Sequence, residues 1–263
     1  MFLIIFYKDP STQVEWDQLD SFLKRERLDV TLREDLFLNL GEEKIKYLAQ
    51  RMAEIRLLGN NEKTLNSEPF QVEIDYELRN LKREDRKIGP VYSGFHFQSI
   101  LREILVGGGS LPVESLHIIF TNQRLATWGE DRWHLRTILL GFPSIISTTG
   151  LIEAPARERD YYLLKSVDPS LGERWLEEDR DHLERDDPRL TMVIKGYLWQ
   201  AIFYGIQIGR GVQLNAPTKN RFSFCKNPEC SLYNSHWQRE VLMAQYGGRL
   251  CEKHSEMKNS MRS

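Results

Sequence analysis

Residues 1–58 read MFLIIFYKDP STQVEWDQLD SFLKRERLDV TLREDLFLNL GEEKIKYLAQ RMAEIRLL, and their hydrophobic rhythm switches repeatedly. Phe2 to Tyr7 is a short apolar run, the pattern of a buried strand. The run is too short to span a membrane, lacks the basic start and cleavage site of a signal peptide, and is closed by Lys8-Asp9-Pro10. Ser11 is placed to cap a helix that turns Val14, Leu19, Phe22 and Leu23 to one side. Leu28 to Leu38 is β-rich but charged and reads as a strand and a turn. Glu42 to Leu58 carries Ile45, Leu48, Met52 and Ile55 at helical spacing and stops at Gly59-Asn60-Asn61. This alternation of strand and helix favours a layered α/β domain.

The pattern continues outward from that stretch. Val72, Ile74, Tyr76 and Leu78 alternate within Phe70 to Leu78, which predicts a strand. Phe95 to Val106 reads as a helix stopped by Gly107-Gly108-Gly109. No P-loop Lys-Ser/Thr follows these glycines, so they read as a connection. Leu116 to Phe120 is a buried strand, and Arg124 to Trp128 with Arg132 to Leu140 form a hairpin around Gly129-Glu130-Asp131. Ser144 to Thr148 is a further strand that enters a polar, turn-rich stretch from Gly150 to Pro155. The hairpins make the expected sheet a mixed one. Helices are predicted at Arg157 to Lys165, Leu171 to Glu184 and Leu190 to Gly205, with Pro188 at the start of the last. Glu173 to Arg189 holds eight acidic and four basic residues, as a solvated helical face would.

The 263 residues are 41% hydrophobic, enough to bury a sizeable core, and the net charge of −2 provides no global basic field for nucleic acid. All three cysteines lie between positions 225 and 251. An odd number without a signal peptide argues against a disulfide framework and for a soluble, cytoplasmic protein. The segment reads Cys225-Lys-Asn-Pro-Glu-Cys230, then twenty residues, then Cys251-Glu-Lys-His254. Zinc favours four thiolate and imidazole ligands in a tetrahedron, and two close pairs supply them. Asn227-Pro228 turns the first pair, and a helix over His236 to Gln245, ended by Gly247-Gly248, returns the second. Cys225, Cys230, Cys251 and His254 are thus expected to hold one structural zinc ion, with residues 210–263 a small zinc-binding subdomain packed on a 1–209 α/β domain. His236 is a spare candidate that reads as a helix-start residue.

The cysteine pattern resembles the structural zinc site of the archaemetzincin metallopeptidases. There an HExxHxxGxxH motif for catalytic zinc runs into a Cys-x4-Cys pair, with a distant Cys-x2-Cys after it. Cys225 and Cys230 match the first pair and Cys251 the third ligand, at a spacing about one residue longer. His254 stands where the family has its last cysteine, and Leu232 replaces the family's methionine. In that register the catalytic histidines fall at Leu214, Thr218 and Phe224, and the glutamate at Asn215. Residues 183–235 contain no histidine at all, and the helix from Leu190 occupies the general place of the active-site helix without a ligand pair. The resemblance implies a metzincin-like α/β fold that keeps the structural zinc and has lost the catalytic one.

Other residues offer alternatives. His134 shares a strand face with Arg132 and Arg136, an anion-binding arrangement or an exposed polar face. His134 and Glu153 are candidate catalytic groups for a hydrolase with a rearranged site. Thr148 or Thr149 could meet a ligand at a strand end. His117 reads as a neutral core imidazole, and His182 and Glu184 as surface residues that do not share a helical face. From Arg210 onward, nine Lys/Arg face four Asp/Glu, an excess of five positive charges, interleaved with Phe222, Phe224, Tyr233 and Trp237. Such a tail suits a nucleic-acid-associated zinc module, but aromatic packing of a zinc segment explains it better. The sequence names no partner; a peptide or protein is one class open to it, nucleic acid is not favoured, and no membrane is expected.

Overall fold

The computed structural model describes residues 3–59, 65–66, 68–107, 115–178, 182–209 and 225–260. In chain order the elements are β1 (Leu3–Tyr7), α1 (Trp16–Arg25), β2 (Val30–Arg33), α2 (Glu42–Glu54), α3 (Gln71–Leu81), β3 (Val91–Ser93), α4 (Gly94–Val106), β4 (Ser115–Thr121) and β5 (Arg124–Gly129). Then come β6 (Arg132–Leu135), β7 (Ile138–Leu139), β8 (Ser144–Ser147), α5 (Thr148–Glu153), α6 (Arg159–Val167), α7 (Pro169–Glu178), α8 (Leu190–Gly209), α9 (Gln238–Gly247) and α10 (Glu252–Ser260). The mixed α/β architecture is the one expected.

The main sheet has the order β2-β1-β4-β8-β7, with β7 antiparallel at its edge and the other pairs parallel. A smaller sheet, β3-β5-β6, contains the expected hairpin, in which Thr127 faces His134, but its second arm stops at Leu135, and Ile138–Leu139 pairs with β8 in the main sheet instead of extending to Leu140 in the hairpin. The central strands are continuously apolar because both of their faces are covered. Side chains alternate along a strand, so Ile4, Phe6, Ile118, Phe120 and Ile146 point to one side and pack with α1, α8 and residues from Cys225 onward. Ile5, Tyr7, Ile119 and Ile145 point to the other side and pack with α2 and α4. Burying a side chain such as Phe6 contributes roughly 1.5–3 kcal/mol relative to leaving it exposed.

Several expectations change. Phe70 to Leu78 is not a strand: Phe70 is the N-cap of α3 and Gln71 to Leu78 lie within it. The Glu73 carboxylate accepts the Phe70 N–H at 2.8 Å, half of a capping box, and starts the helix. Val72, inward in a strand reading, is 66% exposed, whereas Glu77, Asn80 and Leu81 are buried. Buried Glu77 accepts from Arg56 Nε at 2.8 Å and from the Tyr92 hydroxyl at 2.8 Å, so a long-range polar network selects the helical phase.

Ser11 does not cap α1. Its N–H and hydroxyl both bond Asp9, and the helix begins at Trp16 with Val14, Leu19, Phe22 and Leu23 buried as expected. The stretch after β8 is the helix α5, not a loop. The Ser147 hydroxyl caps it by accepting the Gly150 N–H at 2.9 Å. α2 ends at Glu54, short of the expected Leu58, because Leu57 N–H bonds Val91 carbonyl at 2.9 Å. Of the triple glycine, Gly108 and Gly109 lie outside the described residues, as do Asn60 and Asn61 and residues 210–224.

Candidate metal centre

The first ligand pair sits on a tight turn. Asn227 organises it: its side-chain oxygen accepts the Glu229 N–H at 2.9 Å and its carbonyl accepts the Cys230 N–H at 3.1 Å. The second pair arrives through α9. Gly248, at φ 57°, closes that helix in the left-handed conformation that glycine tolerates. Ser231 then ties the two halves together, donating its N–H and its hydroxyl to the Arg249 carbonyl, each at 2.7 Å. Cys251 immediately precedes α10, and His254 lies on its first turn. Three residues apart at a helix start, the two side chains share a face.

The four predicted ligands converge. Their ligand atoms all lie within 4.8 Å of one another. Cys225 Sγ is 3.8 Å from Cys251 Sγ, and His254 Nδ1 is 3.1 Å from Cys251 Sγ and 3.6 Å from Cys230 Sγ. A disulfide would need about 2.05 Å. Thiolates bound tetrahedrally at about 2.3 Å from zinc stand about 3.8 Å apart, so the separations suit a shared cation. Backbone amides support the sulfurs: Asn227 N–H points at Cys225 Sγ and Cys251 N–H at Cys230 Sγ, each at 3.4 Å.

The electrostatics of the four side chains alone are those of crowded, buried ligands. Burial, reinforced by the neighbouring Cys230 and Cys251 thiols, pushes the Cys225 thiol up to about 12. Burial, and then the Lys253 charge, lower His254 below its ordinary value, so its imidazole is neutral. Neutral imidazole is the metal-binding form, and a divalent cation would displace the thiol protons. His254 stacks on Phe203 of α8, 5.9 Å between ring centres at 20°, which fixes the ring. The residues present therefore form a Cys3His cluster that could hold one metal ion. Among the described residues no second group of three or more such side chains converges.

The other candidates occupy separate settings. His134 Nε2 bonds the Gly129 carbonyl at 2.9 Å. Glu153 receives Arg124 at 2.7 and 2.8 Å and Arg185 at 3.2 Å. Burial pushes the Glu153 carboxyl up, but the Arg124 and Arg185 guanidiniums outweigh it and hold the group below its usual value. The β5–β6 register puts His134 on the face of Thr127, opposite to that of Arg124. Arg136 bonds the Thr127 hydroxyl at 2.6 Å, and Arg132 is exposed. The Thr148 and Thr149 hydroxyls are buried and donate to the Thr121 and Asn122 carbonyls.

His117 is the neutral core imidazole expected. Tyr7 and Ser115 hydroxyls hold its two nitrogens at 2.9 and 3.1 Å, and burial followed by the Arg33 charge lowers it to about 4. His182 differs from expectation. It is only 6% exposed and lies 2.9 Å from the Glu184 carboxylate, because this segment is irregular rather than helical where described. His236 is exposed and precedes α9. The register positions Leu214, Asn215, Thr218 and Phe224 lie outside the described residues.

Residue spacing alone did not identify α10 or the amide donors to sulfur. Glu252 in the first turn of α10 is the local signal that was available. No helix among the described residues is long and apolar enough to cross a membrane.

No curated protein matches the chain significantly. Among solved structures, archaemetzincin from Methanopyrus kandleri aligns with 100% of this chain and 96% of its own, at 11% identity and a TM-score of 0.46. A family model described as "Probable metallopeptidase family (DUF6775)" matches residues 2–261, and the chain belongs to that family.

Proposed function

We propose that this chain is a metallopeptidase-family protein that keeps one structural zinc ion on Cys225, Cys230, Cys251 and His254 and does not perform HExxH-type peptide hydrolysis. The observation that carries the reading is the convergence of three thiols and one imidazole nitrogen, with sulfurs 3.8 Å apart, in a sequence without an HExxH motif. A zinc ion held by four protein ligands keeps no position for water, so it supplies folding energy rather than a nucleophile. Cys225, Cys230 and His254 are buried, and such an ion would tie the 225–230 turn to the 251–254 helix start within the segment that packs on the α8 side of the core. Reduced thiols at this spacing suit a cytoplasmic setting.

Metal analysis of the purified full chain tests the reading. One zinc per chain is expected, lost when Cys230 is changed to Ser, with no chelator-sensitive cleavage of a peptide panel. Two firmly bound zinc ions, or cleavage abolished by chelator and restored by zinc in the Cys230→Ser variant, would overturn it.

A further inference from the structure

Three adjoining hollows of about 360, 250 and 240 Å³ run between α1, α8 and the segment after Cys230. Phe22 and Arg25 line all three, which makes them one groove. Trp199 and Phe22 form its apolar wall, 6.2 Å apart at 81°. Arg25 Cζ and Lys195 Nζ lie over the Phe22 ring at 5.8 and 5.5 Å, and Lys258 Nζ lies over Trp199 at 5.3 Å.

The charges along the groove are not balanced. Lys258 is committed to Glu26. Arg25 and Lys195 have no ion-pair partner among the described residues, and Asp17 is the remaining acidic side chain in the lining. Burial, and after it the Arg25 charge, lower the Lys195 ammonium from its ordinary value, so the two cations sense each other across the groove.

A second observation lies in the inner hollow. Gln245 lines it, is 2% exposed, and neither its amide nitrogen nor its amide oxygen has a hydrogen-bond partner. Unpartnered buried amides are costly, on the order of 1–3 kcal/mol. Gly196 leaves the space for that amide, because a Cβ there would stand 1.7 Å from Gln245 Oε1.

We propose that this groove is a binding site for a small organic anion, with its carboxylate or phosphate group between Arg25 and Lys195 and its apolar part against Phe22 and Trp199. Two cations meet the charge, the two aromatic rings accept a planar or aliphatic body, and Gln245 supplies an amide in the wall beneath. Arg25 adds a planar fork that matches a carboxylate or phosphate edge. The site adjoins the Cys3His cluster through Ser231, Leu250 and Ser255 but uses none of its four side chains and requires no chemistry from a metal.

Calorimetric titration of the full chain, with its metal content measured beforehand, tests the proposal. The probes are N-acetylphenylalanine, its neutral amide and phenyl phosphate. At least one of the two anions should bind saturably, and whichever is tighter identifies the headgroup. The neutral amide should bind at least about tenfold more weakly than N-acetylphenylalanine or phenyl phosphate, and anion affinity should fall with added salt. Arg25→Gln and Lys195→Gln should each weaken the anion at least about fivefold without altering the circular dichroism, and Lys195→Arg should retain binding. Equal binding of the anions and the neutral amide, or no saturable anion binding up to about 10 mM, overturns the site. So does unchanged affinity in both glutamine variants.

Discussion

The amino-terminal α/β region and the cysteine-bearing carboxy-terminal segment bury polar groups in opposite ways. In the first, each buried charge has a counter-charge from the chain itself. Arg86 bonds both Asp9 and Asp35 beyond the ends of β1 and β2, and Arg56 bonds Glu77 beneath α3. In the second, three thiols and an imidazole meet with no carboxylate or guanidinium bonded to them among the described residues. The first region carries its electrostatic compensation in its sequence, whereas the second has the composition of a site that an external ion completes. Their stabilities should therefore respond to different agents.

The largest effect should come from the ion. Chelation, or Cys230→Ser, is expected to lower the melting temperature by about 10 °C, corresponding to several kcal/mol, and to deprotect amides of residues 225–260 before those of β1 and β4. Hydrogen exchange with and without chelator measures this. Equal protection in the two regions would break the contrast.

The reverse experiment is Arg86→Met. It leaves Asp9 and Asp35 without their shared guanidinium and should cost about 3–5 kcal/mol at neutral pH by denaturant titration. Zinc content should be unchanged. Burial pushes the Asp9 carboxyl up even beside Arg86, so acidification should recover part of the variant's loss by protonating it.

A smaller effect follows from His117. Its folded value of about 4 lies below the ordinary 6.5, so the unfolded chain binds more protons between those limits. The contribution is complete above about pH 6.5 and is lost as pH falls toward 4, amounting to about 3 kcal/mol at most. His117→Gln should flatten that part of the stability profile. Smallest of all, Ser147→Ala removes the α5 cap and should cost about 1 kcal/mol. It should leave metal content intact.

These two regions also differed in how readily their sequences could be read. β1, β4 and β8 are short, mostly apolar runs, α2 repeats its apolar residues at helical spacing, and α8 is a mostly apolar stretch of twenty residues, too long for a strand. The four candidate ligands are legible for a different reason: thiol and imidazole are rare chemistries, and short spacings bring them together locally. α3 misled because Val72, Ile74, Tyr76 and Leu78 alternate by chance. The helical phase depends instead on Glu77 meeting Arg56 and Tyr92, twenty-one and fifteen residues away. α5 misled because small polar residues resemble a loop until Ser147 caps them and the Thr148 and Thr149 hydroxyls find the carbonyls of Thr121, at the end of β4, and Asn122, just after it.

The sequence alone determined the layered α/β class, the mixed sheet and the four residues that converge as Cys225, Cys230, Cys251 and His254. Periodicity and rare side-chain chemistry are local properties, and they survive without knowledge of the fold. Tertiary structure decided that Phe70 to Leu78 is helical, that His182 is buried beside Glu184, and that Arg25 and Lys195 line one groove. Each of those outcomes depends on which distant group stands opposite, and burial and charge act through space between residues that the chain order keeps apart.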